Sequence, residues 1–292
     1  MNVEMMNDTV GLRQSGGAVD YRARMHTDGY VVIPGALSPL EIGHLRGAVR
    51  KYLDESSECR YLYDGKAKAE CFCFDGDDVY LPLLANARIA DALRAIVGGD
   101  VVFANEIGLG ADGASGWHKD THGQADLFDR ARHADFGVYK VLVYPQDQLG
   151  RDDDEFALRV KRGSHWLSSC QAGEEDRIFV RAGDAIVIDV RTSHRGVHQL
   201  GETWDIARRA AYYPVRHLAP AASYRVRQAY RHFLGRTSRQ LVTLLYGRPN
   251  SFTTTYVAEG QRDKRERWAS RADVRLPDTW RRALESVSIK TL

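Results

Sequence analysis

The chain has 292 residues, 43% of them apolar and 27% charged, with a formal net charge of +2. Those proportions suit a soluble globular protein of one large domain or two small ones. The charge is too small to argue for nucleic acid or a membrane as partner, and no run of about 18 apolar residues is present to cross a bilayer.

Four cysteines (Cys59, Cys71, Cys73 and Cys170) are too few and too irregularly spaced for a disulfide framework. They are expected to be reduced thiols in a cytoplasmic protein. The Cys71-Phe-Cys73 pair would need ligands from elsewhere to hold a metal.

Residues 1–20 are polar and glycine-bearing and read as a flexible lead without the apolar run of a secretory signal. Residues 21–292 read as one domain. GYVVIPG, closed by Pro34-Gly35, is a β-branched run and predicts a strand. Ser38, Pro39 and Glu41 then form a helix start, with Ser38 as N-cap, Pro39 at the first helical position and Glu41 completing a capping box. Ile42, Leu45, Val49 and Leu53 follow at helical spacing. LLANARIADALRAIVGGD predicts a second helix, stopped at Gly98-Gly99.

From residue 100 the pattern changes. VVFANEIGLG, FGVYKVLVYP, FALRV, RIFV, DAIVIDV and RAAYYPV are short β-rich runs between turn residues. They predict a mainly β protein with flanking helices and a jelly-roll core over about residues 100–216. From about 222 to 292 the pattern reads as helical, beginning with YRVRQAYRHFLGRTSRQLVTLLYG.

The chemistry centres on SGWHKDTHG, residues 115–123. His118 and Asp120 stand at i and i+2. On a strand they share a face with Cα atoms about 6.7 Å apart, so both can reach one ion. His122 would lie about 13 Å from His118 along that strand, too far to share the ion, and reads as a pocket-rim residue. A third ligand must come from elsewhere. His133, His165, His198, His217 and His232 are candidates, but AGDAIVIDVRTSH favours His194, at or just past the end of a strand. His198 is the alternative.

Two imidazoles and a carboxylate occupy one face of an octahedron and leave three positions open, which favours non-haem Fe(II) and dioxygen. The same donors with a water would suit a zinc hydrolase. A non-catalytic jelly-roll binding protein is the third class. Arg208 and Arg209, beyond His194, separate these classes, because a buried guanidinium beside a metal needs an anion and its planar fork suits a carboxylate. A dicarboxylate cosubstrate would chelate the ion at one end and pair with arginine at the other.

These residues resemble the phytanoyl-CoA dioxygenase family of Fe(II)- and 2-oxoglutarate-dependent oxygenases. The likeness runs from DGYVVIPGALSPLEIGHLR through WHKD, RGSHW and AGDAIVIDVRTSH to RRAAYYPV, roughly residues 25–216. The resemblance implies a double-stranded β-helix (cupin-like) core and an iron held by His118, Asp120 and His194. It also implies that Arg208, with Arg209 as alternative, meets the distal carboxylate of 2-oxoglutarate. It implies that O2 and 2-oxoglutarate are consumed, with release of succinate and CO2, as a substrate C–H bond is hydroxylated, desaturated or closed into a ring. Asp120 argues against a halogenase, in which a small residue replaces the carboxylate. Ser115 stands where family members often carry glutamine. The expected substrate is a small organic molecule, in a tailoring step of bacterial antibiotic biosynthesis. The resemblance says nothing of oligomeric state.

Overall fold

The structure is a computed structural model and describes residues 20–55, 60–61, 67–71, 80–111, 115–121, 136–148, 158–196, 239–267 and 276–292. The expected lead over residues 1–19, the run RAAYYPV with Arg208 and Arg209, and His122, His133, His198, His217 and His232 lie outside the described residues.

Helix α1 (Tyr21–Asp28) turns through Gly29 into β1 (Tyr30–Ile33). Gly29 has φ 82°, a left-handed conformation that glycine adopts without strain. Helix α2 (Pro39–Glu55) begins at the predicted box: the Ser38 amide donates to Glu41 Oε2 at 2.7 Å, and the Glu41 amide donates to Ser38 Oγ at 3.3 Å. Short strands β2 (Arg60–Tyr61) and β3 (Ala67–Cys71) follow, then a single helical turn α3 (Leu81–Leu84). Helix α4 (Ala87–Val97) starts where Asn86 Oδ1 accepts the Ile89 amide and stops at left-handed Gly98. It buries Ile89, Ala90, Leu93, Ile96 and Val97, one stripe at helical spacing.

Strands β4 (Val102–Ala111), β5 (Val138–Val143), β6 (Leu158–Arg162), β7 (Glu174–Ile178), β8 (Ala185–Asp189), β9 (His194–Gly196) and β10 (Gln240–Gly247) form the core. Helices α5 (Ser251–Arg267) and α6 (Asp278–Ser286) and a short strand β11 (Lys290–Thr291) complete the described chain. The larger sheet runs β1-β8-β5-β10-β4-β3-β2, with β11 against β4, and the smaller runs β7-β6-β9. The architecture is mainly β with flanking helices around a double-stranded β-helix.

Strand alternation sorts the core into layers. Tyr139, Val141, Val143, Val187, Val242, Leu244 and Tyr246 share one cluster with residues of α2 and α4. Leu142, Tyr144, Ile186 and Ile188 share another with Leu158, Val160 and Ile178 of the smaller sheet. The second cluster lies between the sheets. Lys140 stands in register between Val138 and Leu142 and therefore belongs to this inner face.

One expectation is corrected. Residues from about 222 onward were expected to be helical, with the core ending near 216. Instead Gln240–Gly247 is a strand lying between β4 and β5, and it is the strand that closes the larger sheet. Strand β10, QLVTLLYG, alternates in burial only over its first half and is buried on both faces over Leu244–Gly247, so its largely apolar sequence gives periodicity little to separate it from a buried helix. The helical reading of the later tail agrees with α5 and α6.

The turn at Gly29 links the fold to the loop that carries His194. A Cβ built there would lie 2.4 Å from Thr192 Oγ1 and 2.6 Å from His165 Nδ1. Gly29→Ala adds left-handed strain to that collision and should cost about 2 kcal/mol of stability, read from the urea denaturation midpoint.

Candidate metal centre

His118 and His194 face each other as an antiparallel bridge. The His118 amide donates to the His194 carbonyl at 3.1 Å, and the His194 amide returns the bond to the His118 carbonyl at 2.9 Å. Residues paired this way present side chains on the same face. The two rings lie 4.3 Å apart between centroids. Asp120 lies two residues past His118, and its amide donates to the Val190 carbonyl at 2.9 Å.

The β8–β9 turn is fixed from several sides. Arg191 donates from Nε and Nη2 to the Asp189 carboxylate at 2.9 and 2.7 Å, a buried pair. Thr192 Oγ1 donates to the Gly29 carbonyl at 2.9 Å, and the Ser193 amide donates to Ser164 Oγ at 2.8 Å. Lys119, between the first two site residues, points the other way and donates to the carbonyls of Ser164 and Arg191 at 2.7 and 2.6 Å. The RGSHW turn thus supports the site from behind: Ser164 bonds both segments, while His165 Nε2 bonds the His26 carbonyl at 3.0 Å. Ser115 exchanges hydrogen bonds with Gly196, Oγ accepting the Gly196 amide at 3.1 Å, and so extends the bridge. Trp117 packs under Lys161 and Arg195.

The donor atoms converge. One ligand atom from each of His118, Asp120 and His194 lies within 4.8 Å of the others. His118 Nε2 is 3.7 Å from Asp120 Oδ1, and His194 Nε2 is 3.5 Å from Asp120 Oδ2. Donors about 2.1 Å from a common ion stand about 3 Å apart, so a divalent ion would draw the most distant of these atoms together by up to about 1.8 Å.

The tautomers suit a metal too. His118 Nδ1 bonds the Gly116 carbonyl at 2.9 Å, and His194 Nδ1 bonds the Thr192 carbonyl at 3.0 Å. A carbonyl only accepts, so each Nδ1 carries the proton and each Nε2 keeps its lone pair for the centre. Burial lowers the His194 pKa to about 4, against the pull of Asp120, so the ring is neutral at pH 7. Burial acts to raise the Asp120 pKa, but Lys140 and then the two imidazoles hold it far below the ordinary carboxylate range.

Two residues join the site unannounced by the sequence reading. Lys140 Nζ lies 2.5 Å from Asp120 Oδ2. Tyr256, buried on α5, donates from its hydroxyl to the Asp120 carbonyl at 2.5 Å. Lys140 left a trace in the sequence, as a lone charge in the apolar strand VYKVLV. Tyr256 left none, since its role depends on how α5 docks. Cys73 of the C-x-C pair lies outside the described residues; among the described residues, His118, Asp120 and His194 form a metal-compatible cluster.

No family model matches the chain, and no curated protein matches it. Solved structures do. The non-heme alpha ketoglutarate dependent epimerase SnoN from nogalamycin biosynthesis is 16% identical, over 77% of this chain and 80% of that one, with a TM-score of 0.54. The likeness is one of fold. HygX from Streptomyces hygroscopicus, with nickel, 2-oxoglutarate and hygromycin B bound, is 15% identical over 80% of this chain and 88% of that one, at 0.53. AviO1 from Streptomyces viridochromogenes Tue57 is 18% identical over 80% and 97%, at 0.50. Among the described residues, no helix is long and apolar enough to cross a membrane.

Tyr256→Phe removes the donor to the Asp120 carbonyl while keeping the ring. It should cost about 1 kcal/mol of stability and weaken divalent metal binding by up to about tenfold, checked by thermal melting and by metal titration.

Proposed function

We propose that the chain is a non-haem Fe(II)- and 2-oxoglutarate-dependent oxygenase that oxidises a C–H bond of a small organic substrate in bacterial antibiotic biosynthesis. The observation that carries this reading is the convergence of His118, Asp120 and His194 with both Nδ1 protons already committed to carbonyls. The fold likeness to SnoN and to HygX, a structure that holds nickel, 2-oxoglutarate and hygromycin B, supports the cofactors and the substrate class. The phytanoyl-CoA dioxygenase-like placement belongs to the same proposal and rests on the residues from DGYVVIPG to RTSH.

His118 Nε2, His194 Nε2 and one Asp120 oxygen would hold the ion. When bound, Fe(II) supplies oxidation of the substrate C–H bond at the expense of O2 and 2-oxoglutarate, which leaves as succinate and CO2. Three protein donors leave three positions for exogenous ligands. The surrounding residues keep these donors in place: the Asp189–Arg191 pair fixes the turn ahead of His194, and Lys119 ties the His118–Asp120 segment to that turn. Apolar residues between the sheets exclude water from the inner side.

The distal carboxylate calls for a cation at the start of the closing strand. RRAAYYPV offers Arg208, with Arg209 as alternative, and with β10 as the closing strand Arg239, which immediately precedes it, fits as well. Arg239 is buried, with its guanidinium 5.9 Å from the Tyr144 ring on the inner face. Arg208 and Arg239 are both proposed for this role. Substitution by glutamine at the residue that serves should raise the half-saturating 2-oxoglutarate concentration tenfold or more, and at the other leave it within about twofold.

Anaerobic addition of Fe(II) and then 2-oxoglutarate should produce a visible iron-to-cosubstrate charge-transfer band. Asp120→Ala should lose the band and 2-oxoglutarate-dependent succinate formation. Absence of the band in the unaltered protein, with zinc-dependent hydrolysis instead, would replace the oxygenase reading.

A further inference from the structure

Lys140 has no place in the reading above, yet it makes the shortest charged contact to the site. A lysine between Val138 and Leu142, on the face between the sheets, costs free energy unless its ammonium is paired. Its pairing is specific: Nζ lies 2.5 Å from Asp120 Oδ2, and Glu106 on β4 adds a second negative charge nearby. Asp120 is otherwise anchored by its main chain, the amide to Val190 and the carbonyl to Tyr256. What remains free is rotation of the carboxylate. Its oxygens are inequivalent, Oδ1 facing His118 Nε2 at 3.7 Å and Oδ2 facing His194 Nε2 at 3.5 Å.

Resting on the assignment of these three residues as a metal centre, we propose that Lys140 is a positioning residue that occupies Asp120 Oδ2 and so confines the carboxylate to one-oxygen ligation through Oδ1. A carboxylate with both oxygens available can chelate an ion with both. The ammonium engages one oxygen by a charge-assisted hydrogen bond in a partly buried setting. Oδ2 keeps a second lone pair, but an ion there would share the oxygen with the ammonium's hydrogen bond and stand close to its positive charge, and both disfavour chelation. The centre then has three protein donor atoms instead of four, and the position saved is available to an exogenous ligand. Lys140 acts through Asp120, and its role is to set the number of open positions.

Mn²⁺ alone is the probe, since water-proton relaxation counts the exchangeable waters on the bound ion. The unaltered protein should show three. Lys140→Met frees Oδ2 and should lower the relaxation enhancement by about one third. Lys140→Gln, which keeps an N–H donor without the charge, should restore most of it. A bound Mn²⁺ with the same water count in all three proteins overturns the proposal and leaves the metal centre standing. No Mn²⁺ binding by the unaltered protein removes the metal centre and this inference with it. Should Lys140→Met fail to fold, a structure of the unaltered protein loaded with Mn²⁺ decides the matter: ligation by Oδ1 alone supports the proposal, and ligation by both oxygens overturns it.

Discussion

Two main-chain hydrogen bonds between His118 and His194 are the constraint on which the site depends. They join segments more than seventy positions apart in the chain and put both imidazoles on one side of one bridge. Asp120 needs no separate device to reach them, because it follows His118 by the two-residue step that returns a side chain to the same face. The elements around the bridge hold its two halves still. Gly29 supplies a tight turn whose carbonyl receives Asp189 and Thr192, and Ser164 bonds both Lys119 and Ser193. Segments that carry none of the three residues therefore determine where those residues stand.

Two ion pairs beside the site have different consequences. Arg191 and Asp189 are neighbours in sequence and satisfy each other within one turn, so their bond shapes the path of the chain. Lys140 and Asp120 come from different elements, and their bond fixes a side-chain rotation. Neither pair is an argument for stability, because desolvation offsets much of the attraction of the buried Asp189–Arg191 pair and, to a lesser degree, of the partly buried Asp120–Lys140 pair. Both restrict geometry. That restriction suits a centre where donor atoms must stay within a few tenths of an ångström of their working positions.

The helices contribute at one remove. Residues of α2 and α4 cover the outer face of the larger sheet, leaving the inner face to the smaller sheet and the site. Helix α5 returns after the closing strand and places Tyr256 on the Asp120 carbonyl. Strand β10 and the helix after it thus connect a late part of the chain to a motif near its middle.

The sequence by itself determined the capped start of α2, the glycine stop of α4, the five strands β1, β4, β5, β6 and β8 and the His-x-Asp pair, because each is written in neighbouring residues. It also singled out His194, since a strand ending in a turn marks a place where a side chain projects from the fold. Tertiary structure decided the rest. LVTLLY carries the same apolar signal for a helix as for a strand buried on both faces, and only the open slot between β4 and β5 made it a strand. Lys140 was visible as a lone charge in an apolar run, but its partner lies twenty residues away on another element, so its purpose was not. Tyr256 had no local signal at all. Local hydrogen bonds and side-chain periodicity are properties of adjacent residues and can be read from them. Which buried cation meets which carboxylate depends on how separate elements pack, and no local pattern encodes it.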